Sequence, residues 1–283
     1  MKRLTLLLAT AIICVTATAQ EKKDTIRIGG MVIVKEGKNK DGKSKGIHMS
    51  RNHEPKIKRN ISTNWWVLDL GFSNYDDKTN YSTAGSYLVN RPGYPALDKN
   101  DFKLRTGKSI NVNIWVFMQK LNLIKHHVNL KYGLGVELNN YRYKSDISYK
   151  EGGLVPYTAN TQTNAAFIFR DSISFSKNKL AADYLTVPLM LNFASHPGNK
   201  RGVSLSVGVS AGYLYSQRNK QKSDERGKWK NKGDYALEKF KFSYVAEVGL
   251  GPIRLYGSYS PNSIYEKSLD IRPYTVGLRF SNW

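Results

Sequence analysis

VSLSVGVSAGY, residues 203–213, alternates strictly between apolar side chains and small or polar ones. This two-residue period is that of an extended strand with two unlike faces, one suited to an apolar environment and the other to water. The run is long enough to cross a hydrocarbon layer as a tilted strand, which takes about 9–11 residues. The sequence therefore predicts a membrane-spanning β-strand at this position.

The same alternation recurs along the chain and predicts eight strands in total. Long segments follow the first, third, fifth and seventh strands, whereas short turns follow the second, fourth and sixth. Outer-membrane barrels show this arrangement, with short periplasmic turns and long outer loops. We therefore predict an all-β fold, an antiparallel transmembrane β-barrel of eight strands with both chain ends periplasmic. The predicted strands are 65–73, 109–118, 128–138, 185–193, 203–213, 240–248, 253–259 and 274–280.

The long segments are predicted to lie outside the membrane. Residues 74–103 are rich in Asn, Asp, Tyr, Gly and Pro and are expected to form an exposed loop. Residues 139–182 contain an alternating piece that suggests a strand extended beyond the membrane, and a barrel of ten strands follows if 167–177 crosses it. Residues 217–235 are heavily charged and are expected to form a third loop.

The first 60 residues differ in composition from the rest. A charged start, an apolar stretch over 4–15 and the small residues Ala17, Thr18 and Ala19 predict a secretory signal peptide at 1–19, which contains the single cysteine, Cys14. Residues 20–60 are basic and poor in large apolar side chains, so we expect a periplasmic linker with a short β segment at 25–34. Residues 61–283 form the predicted barrel.

The formal net charge of the chain is +22, from 44 Lys and Arg against 22 Asp and Glu. Such an excess predicts attraction to polyanions. Export excludes nucleic acid, so the expected partners are outer-membrane lipid and lipopolysaccharide. The basic segment 20–60 is further expected to engage an envelope protein complex or peptidoglycan.

The two faces of the strands distinguish a membrane barrel from a soluble one. A lipocalin-like barrel would point its apolar face inward, and the glycines of the other face would then lie on the solvent side, where they have no purpose. In a narrow membrane barrel the glycines face inward and let the interior close around polar side chains. The inward face is predicted to carry charges of both signs, which act either as a proton or ion relay or as a structural polar plug; the narrow interior favours the plug. These residues are Asp69, Lys131, Glu137, Lys241, Glu247, Arg254 and Arg279.

Motifs for catalysis are absent from the sequence, and we predict neither an enzyme nor a cofactor. His126, His127 and His196 lie in predicted turns; a metal site would require those turns to be neighbours, and isolated exposed histidines are the favoured interpretation, so no metal is predicted. Aromatic residues near strand ends are expected to form interfacial girdles. They are Trp65, Trp66, Tyr141, Tyr143, Tyr213, Tyr215, Tyr259, Tyr274 and Trp283.

Several segments together resemble a known family. DTIRIGGMVIV (24–34), NWWVLDLGFSNY (64–75), DYLTVPLMLNF (183–193) and YTVGLRF (274–280) are similar to the small outer-membrane β-barrel proteins of Bacteroidota, described as porin family or PorT-like. The resemblance covers nearly the whole chain through loose strand patterns, and it implies the fold more than a function. It implies that some members assist secretion or envelope assembly.

Three functions remain open from the sequence. The first is an integral outer-membrane protein with a structural or accessory role in the cell envelope, as a subunit of a secretion or assembly complex. The second is a small channel or solute transporter. The third is a lipid-modifying enzyme at the outer rim, for which the sequence offers no nucleophile and base that can be placed together.

Overall fold

The computed structural model describes residues 59–197, 202–250 and 253–281, together with the backbone of three short strands nearer the N-terminus. The chain divides into two units, Met1–Lys58 and Arg59–Trp283. In the first unit, Met31–Val34 pairs antiparallel with both Thr25–Ile28 and Met49–Ser50. The first two of these strands fall in the predicted β segment at 25–34. The predicted signal peptide lies outside the described residues.

The second unit is a closed barrel of eight strands, numbered β1 to β8 in chain order. Each strand pairs antiparallel with the next, and β8 pairs with β1, so the ring has no free edge. The predicted all-β fold and the predicted count of eight are confirmed. The strands are β1 Ile61–Asp77, β2 Ile110–Ile124, β3 Val128–Arg142, β4 Lys177–Ala194, β5 Val203–Ser223, β6 Phe240–Leu250, β7 Ile253–Tyr259 and β8 Ile271–Phe280.

Short turns connect the strands at one end of the barrel and long segments at the other. Turns follow β2, β4 and β6, as predicted. The turn after β2 places Lys125 and His126 at positive φ, the conformation that a tight hairpin turn needs at its two central residues. We call the two ends the short-turn end and the long-loop end.

The long segments are more ordered than the sequence predicts. Phe167–Arg170 pairs with Leu88–Val89 and with Ile147–Lys150 in a separate three-stranded sheet, so 167–177 does not add strands to the barrel and the ten-strand alternative is wrong. Residues 217–235 are not simply a loop, because β5 continues to Ser223 and pairs there with a further strand, Gly227–Lys232. The described residues contain three short 3-10 helices, none long and apolar enough to cross a membrane.

These long segments fold over the barrel into a cap with its own hydrophobic core. Residues 74–103, predicted to be exposed, contribute Leu97 and Phe102, which are 3% and 0% exposed. The aromatic rings of Phe102 and Tyr143 meet edge to face at 6.4 Å. The cap core also includes Tyr87, Ile147, Tyr149, Ile168, Tyr235, Leu237, Ile264, Tyr265 and Leu269.

The barrel wall has three irregularities, of which the first two alter the alternation of faces. Trp66 has positive φ and falls between two paired positions of β1, so Trp65 and Trp66 are both exposed. A bulge at Val116 reverses the alternation of β2, and Met118, which a strict period of two places with Ile110 and Ile114 on the apolar outer face, is buried inside. Pro188 points inward, and the pairing of β4 with β3 skips Val187 and Pro188, which accommodates a residue without an N–H donor.

Two paired glycines let the wall accept a large inward side chain. Gly71 on β1 lies opposite Gly277 on β8, and the ring of Tyr256 from β7 lies against both. A Cβ atom on Gly277 would lie 2.7 Å from Cε1 of Tyr256 and would also collide with the Leu70 carbonyl oxygen. The Tyr256 hydroxyl donates a hydrogen bond to Oδ1 of Asn111 across the lumen.

We expect Gly277→Ala to destabilise the folded barrel by about 1–3 kcal/mol, because the added methyl overpacks the contact with Tyr256 and β1. Thermal unfolding of the detergent-solubilised barrel measures this change. Gly257→Ala is the matched control, since the nearest atom to its new Cβ is the Thr275 carbonyl oxygen at 3.5 Å, an ordinary contact. Equal unfolding temperatures for the two variants would contradict the proposed packing role.

Candidate functional site

The structure places all seven predicted lumen residues inside the barrel. Each lies on the inward face of its strand, and none is more than 8% exposed. They come from five of the eight strands, so the ring closure brings together residues that are far apart in sequence. The set comprises Asp69 (β1), Lys131 and Glu137 (β3), Lys241 and Glu247 (β6), Arg254 (β7) and Arg279 (β8).

Arg279 is the central cation of the lumen. Its Nε and one terminal nitrogen donate to the two carboxylate oxygens of Asp69, both at 2.7 Å. Its other terminal nitrogen donates to Oε2 of Glu247 at 2.6 Å. This fork geometry satisfies two carboxylates with one guanidinium, and such charge-assisted pairs are the strong hydrogen bonds of proteins.

Glu247 joins three strands through one carboxylate. Besides Arg279, it pairs with Lys131 and with Arg254, whose guanidinium lies 3.2 Å from Oε1. A buried charge is tolerated only when paired and hydrogen-bonded, and Glu247 meets this condition with three cations. The sequence predicted that these residues face inward, but not which partners they take.

A second ion pair lies nearer the long-loop end. The Lys241 ammonium donates to Oε2 of Glu137 at 2.8 Å and lies 5.4 Å from the centre of the Tyr184 ring. A cation near an aromatic face is attracted by the ring quadrupole. Each of the three predicted lumen carboxylates therefore has at least one cationic partner. These carboxylates belong to Asp69, Glu137 and Glu247.

Neutral side chains complete the lumen network. The indole nitrogen of Trp115 donates to Asp69 at 2.7 Å, and Asn113 donates to the same oxygen at 3.2 Å. Asn111 bridges Asn113 and Asn139. These residues are neutral and so were not predicted as part of the charged site, although the two-residue period of the strand at 109–118 places Asn111, Asn113 and Trp115 together on one face.

A small cavity lies among the lumen side chains of the described residues. A cavity of about 20 Å³ remains beside Trp115, Glu137, Tyr256 and Arg279. That volume corresponds to about one water molecule. An eight-stranded barrel has an interior just wide enough for its own side chains, so the arrangement fits a packed interior rather than an aqueous passage.

Tyrosines fill the interface between the barrel and the cap. The hydroxyls of Tyr143 and Tyr265 each lie 2.6 Å from that of Tyr149, which forms a hydrogen-bonded chain in the cap core. Burial raises the pKa of Tyr143 from its ordinary value of 10.0 to about 12, although the bonds to Tyr149 and Tyr265 oppose the shift. These hydroxyls therefore stay protonated and able to donate well into the alkaline range.

A cleft of about 660 Å³ opens in the cap. Its walls include Tyr157, Phe169 and Trp229, with polar groups from Asp171, Gln221 and Arg226. The polar groups are already engaged with one another: Arg226 donates to Asp171 at 3.0 Å and Gln221 to the Ser148 hydroxyl at 2.7 Å. The cleft has the volume and aromatic lining of a small-ligand pocket.

The three histidines of the described residues, His126, His127 and His196, do not assemble into a metal site. His127 contacts the Ala194 carbonyl through Nδ1 at 2.8 Å, and His196 contacts the neighbouring Ser195 hydroxyl. Over the described residues, the His, Cys, Asp and Glu side chains form no group of three or more that could hold a metal ion.

The predicted aromatic girdle is only partly correct. Trp65, Trp66, Tyr213, Tyr215 and Tyr274 are exposed on the outward face. Tyr141 and Tyr143 are instead buried, at 1% and 2% exposure, because the upper end of β3 turns its inward face into the cap core. Trp283 lies outside the described residues.

Comparisons with known proteins give one family match and one distant structural likeness. A family model described as "Outer membrane protein beta-barrel domain" matches residues 58–262. No curated protein gives a significant sequence match. Among solved structures, the chain is similar to Ail, the attachment invasion locus protein of Yersinia pestis, in a crystal structure with the heparin analogue sucrose octasulfate. That likeness has 13% identity and a TM-score of 0.29, and it covers 77% of this chain and 98% of Ail.

We expect Arg279→Met to destabilise the barrel by about 3–5 kcal/mol, because it leaves Asp69 without its ion-pair partner and removes one of the cations around Glu247. Urea unfolding in detergent, followed by tryptophan fluorescence, measures the change. Arg272→Met is the matched control on the same strand, since Arg272 pairs with Asp270 at the surface and such exposed pairs contribute little. Equal midpoints for the two variants would contradict a structural role for Arg279.

Proposed function

This chain belongs to the outer membrane protein beta-barrel domain family, and from that premise we propose that it is a closed, non-conducting barrel with a structural or accessory role in the cell envelope. The protein is accordingly located in the outer membrane. The barrel anchors the chain, and the cap at the long-loop end and the N-terminal segment are the parts available to partners.

The filled lumen is the observation that carries this proposal. Arg279 on β8 links the neighbouring β1 through Asp69 and β6 through Glu247, and Lys131 on β3 reaches Glu247 from across the ring. Conduction would require these groups to separate and take up water, and separating a buried ion pair is costly. The same pairing supports a structural plug over a proton or ion relay.

We propose an orientation with the long-loop end extracellular and the short-turn end periplasmic. The support is the alternation of connection lengths, which outer-membrane barrels share. In this orientation both ends of the barrel domain lie at the periplasmic side. We further propose that the basic segment 20–60 engages an envelope protein complex or peptidoglycan.

The finer family assignment is also a proposal. The sequence resemblance supports placing the chain with the small Bacteroidota barrels described as PorT-like, whose implied role is assistance in secretion or envelope assembly. An accessory subunit fits a barrel whose interior is filled and whose first 60 residues carry much of the charge excess.

We expect the purified, folded protein to produce no discrete current steps in a planar lipid bilayer, because ion pairs between strands fill its lumen and the cavity beside Trp115 and Arg279 holds about one water. A double variant, Glu247→Ala with Arg279→Ala, removes both side chains of this ion pair and serves as the comparison for an opened interior. Reproducible single-channel steps from the unmodified protein would overturn the closed-barrel proposal and favour the channel.

We expect gentle detergent extraction from native membranes to retain a partner on the full-length protein and to lose it when residues 21–60 are deleted. The reason is that this segment combines a strong positive charge with β-forming residues but few large apolar side chains. Size-exclusion chromatography with mass spectrometry identifies what remains bound. An isolated monomer from both forms would count against the accessory role.

A further inference from the structure

Lysines and arginines form aligned rows on the side of the barrel where β4 and β5, its longest strands, extend beyond the apolar band. Lys177 on β4 lies opposite Lys222 on β5, and Lys222 lies opposite Lys228 on the strand Gly227–Lys232. The next row joins Arg142, Lys179, Lys220 and Lys230 through consecutive pairings. A third pairing sets Arg218 opposite Lys232. We call these residues of β3, β4, β5 and Gly227–Lys232 the basic wall.

Like charges placed directly opposite each other across a sheet destabilise it. Neighbouring strands are about 4.8 Å apart and successive rows about 6–7 Å apart, so each ammonium has several others close by. Among the described residues of these strands, one acidic side chain, that of Asp183, points to this face, and it forms an ion pair with Arg218. The wall therefore bears a concentrated positive charge that its own sheet does not neutralise.

The opposite face of the same strands has a different character. Asn178, Asn219 and Gln221 are buried and hydrogen-bonded beneath the cap, and Asn219 donates to Asn178 at 3.2 Å. The alternation of the strands thus sends the amides inward and the cations outward. The basic wall is a defined sheet face, not a disordered charged loop.

The basic wall continues the apolar outer surface of the barrel. Along β4, the exposed residues Leu189, Val187 and Leu185 lead upward to Asp183 and then to Lys179. Along β5, an unpaired Tyr215 at a bulge shifts the alternation, so that Arg218 and Lys220 point to the same side as Val209 and Tyr213. The charges therefore stand directly above the band of side chains that faces lipid tails.

We propose that the basic wall binds the phosphate-bearing head groups of the lipid in the outer leaflet. An anion held by the wall lies against the outside of the barrel, at the level where the apolar band ends and head groups begin. Basic residues beside an anionic membrane surface attract it, and an aligned array can bridge several phosphates at once. A soluble polyanion is the alternative partner, and the experiment below separates the two.

The inference rests on the proposed orientation but not on the closed lumen, so a conducting barrel would leave it intact. Orientation is checked separately by whole-cell labelling with a membrane-impermeant maleimide. Thr158→Cys in the cap should react and Lys125→Cys in a short turn should not; Cys14 lies in the predicted signal peptide, so the background is low. The opposite labelling pattern overturns the orientation and this inference with it.

The test compares lipid binding by two triple variants of the folded protein. Lys220→Gln, Lys222→Gln and Lys230→Gln remove the centre of the wall. Lys103→Gln, Lys108→Gln and Lys267→Gln remove the same charge from exposed lysines elsewhere in the long-loop segments. The probe is bisphosphorylated lipid A titrated into phosphatidylcholine nanodiscs that contain the protein, with dephosphorylated lipid A as the neutral reference and dextran sulfate as the soluble polyanion.

We expect the wall variant to lose about 100-fold in affinity for bisphosphorylated lipid A, and the control variant to match the unmodified protein. The wall variant should also be at least as stable to heat, because it relieves opposed like charges, so weak binding will not reflect misfolding. The proposal is wrong if both variants bind alike, or if dephosphorylated lipid A binds equally well. It is likewise wrong if only dextran sulfate binding is lost, which identifies a soluble polyanion.

Discussion

An eight-stranded barrel encloses too little space for bulk water, so every charged side chain that points inward must find its counter-charge on another strand. Arg279 on β8 meets this constraint by holding Asp69 on β1 and Glu247 on β6. Lys131 on β3 then reaches Glu247 from the far side of the ring. Because a one-residue slip would turn these side chains outward, the same contacts that neutralise the lumen also hold the register of the wall.

The period of two in the sequence was enough to predict the barrel and the direction of its charged residues, since each side chain's face follows from its position along the strand. The same period does not predict which of these charged residues form ion pairs with each other. Lys131 and Glu247 are 116 positions apart, and their meeting depends on the stagger of the whole ring. Local irregularities also escape a strict period: the bulge at Val116 moved Met118 inside, against prediction.

The cap and the basic wall could not be predicted for a different reason. Cap residues such as Leu97, Phe102 and Tyr143 come from separate segments without a regular period, and only the closed barrel brings them together. Residues 217–235 resemble a charged loop because their alternation is between lysines and other polar residues. Pairing with β4 and with Gly227–Lys232 turns that composition into a sheet with one cationic and one amide face.

The barrel wall is uneven in height. β4, β5 and Gly227–Lys232 rise far beyond the apolar band, whereas β7 ends at Tyr259 and β8 begins only at Ile271. The barrel therefore has two unlike sides when viewed along the membrane normal, a tall side along β4 and β5 and a low side along β7 and β8. Two copies that approached with their basic walls facing would bring like charges together, which disfavours lateral contact through β4 and β5.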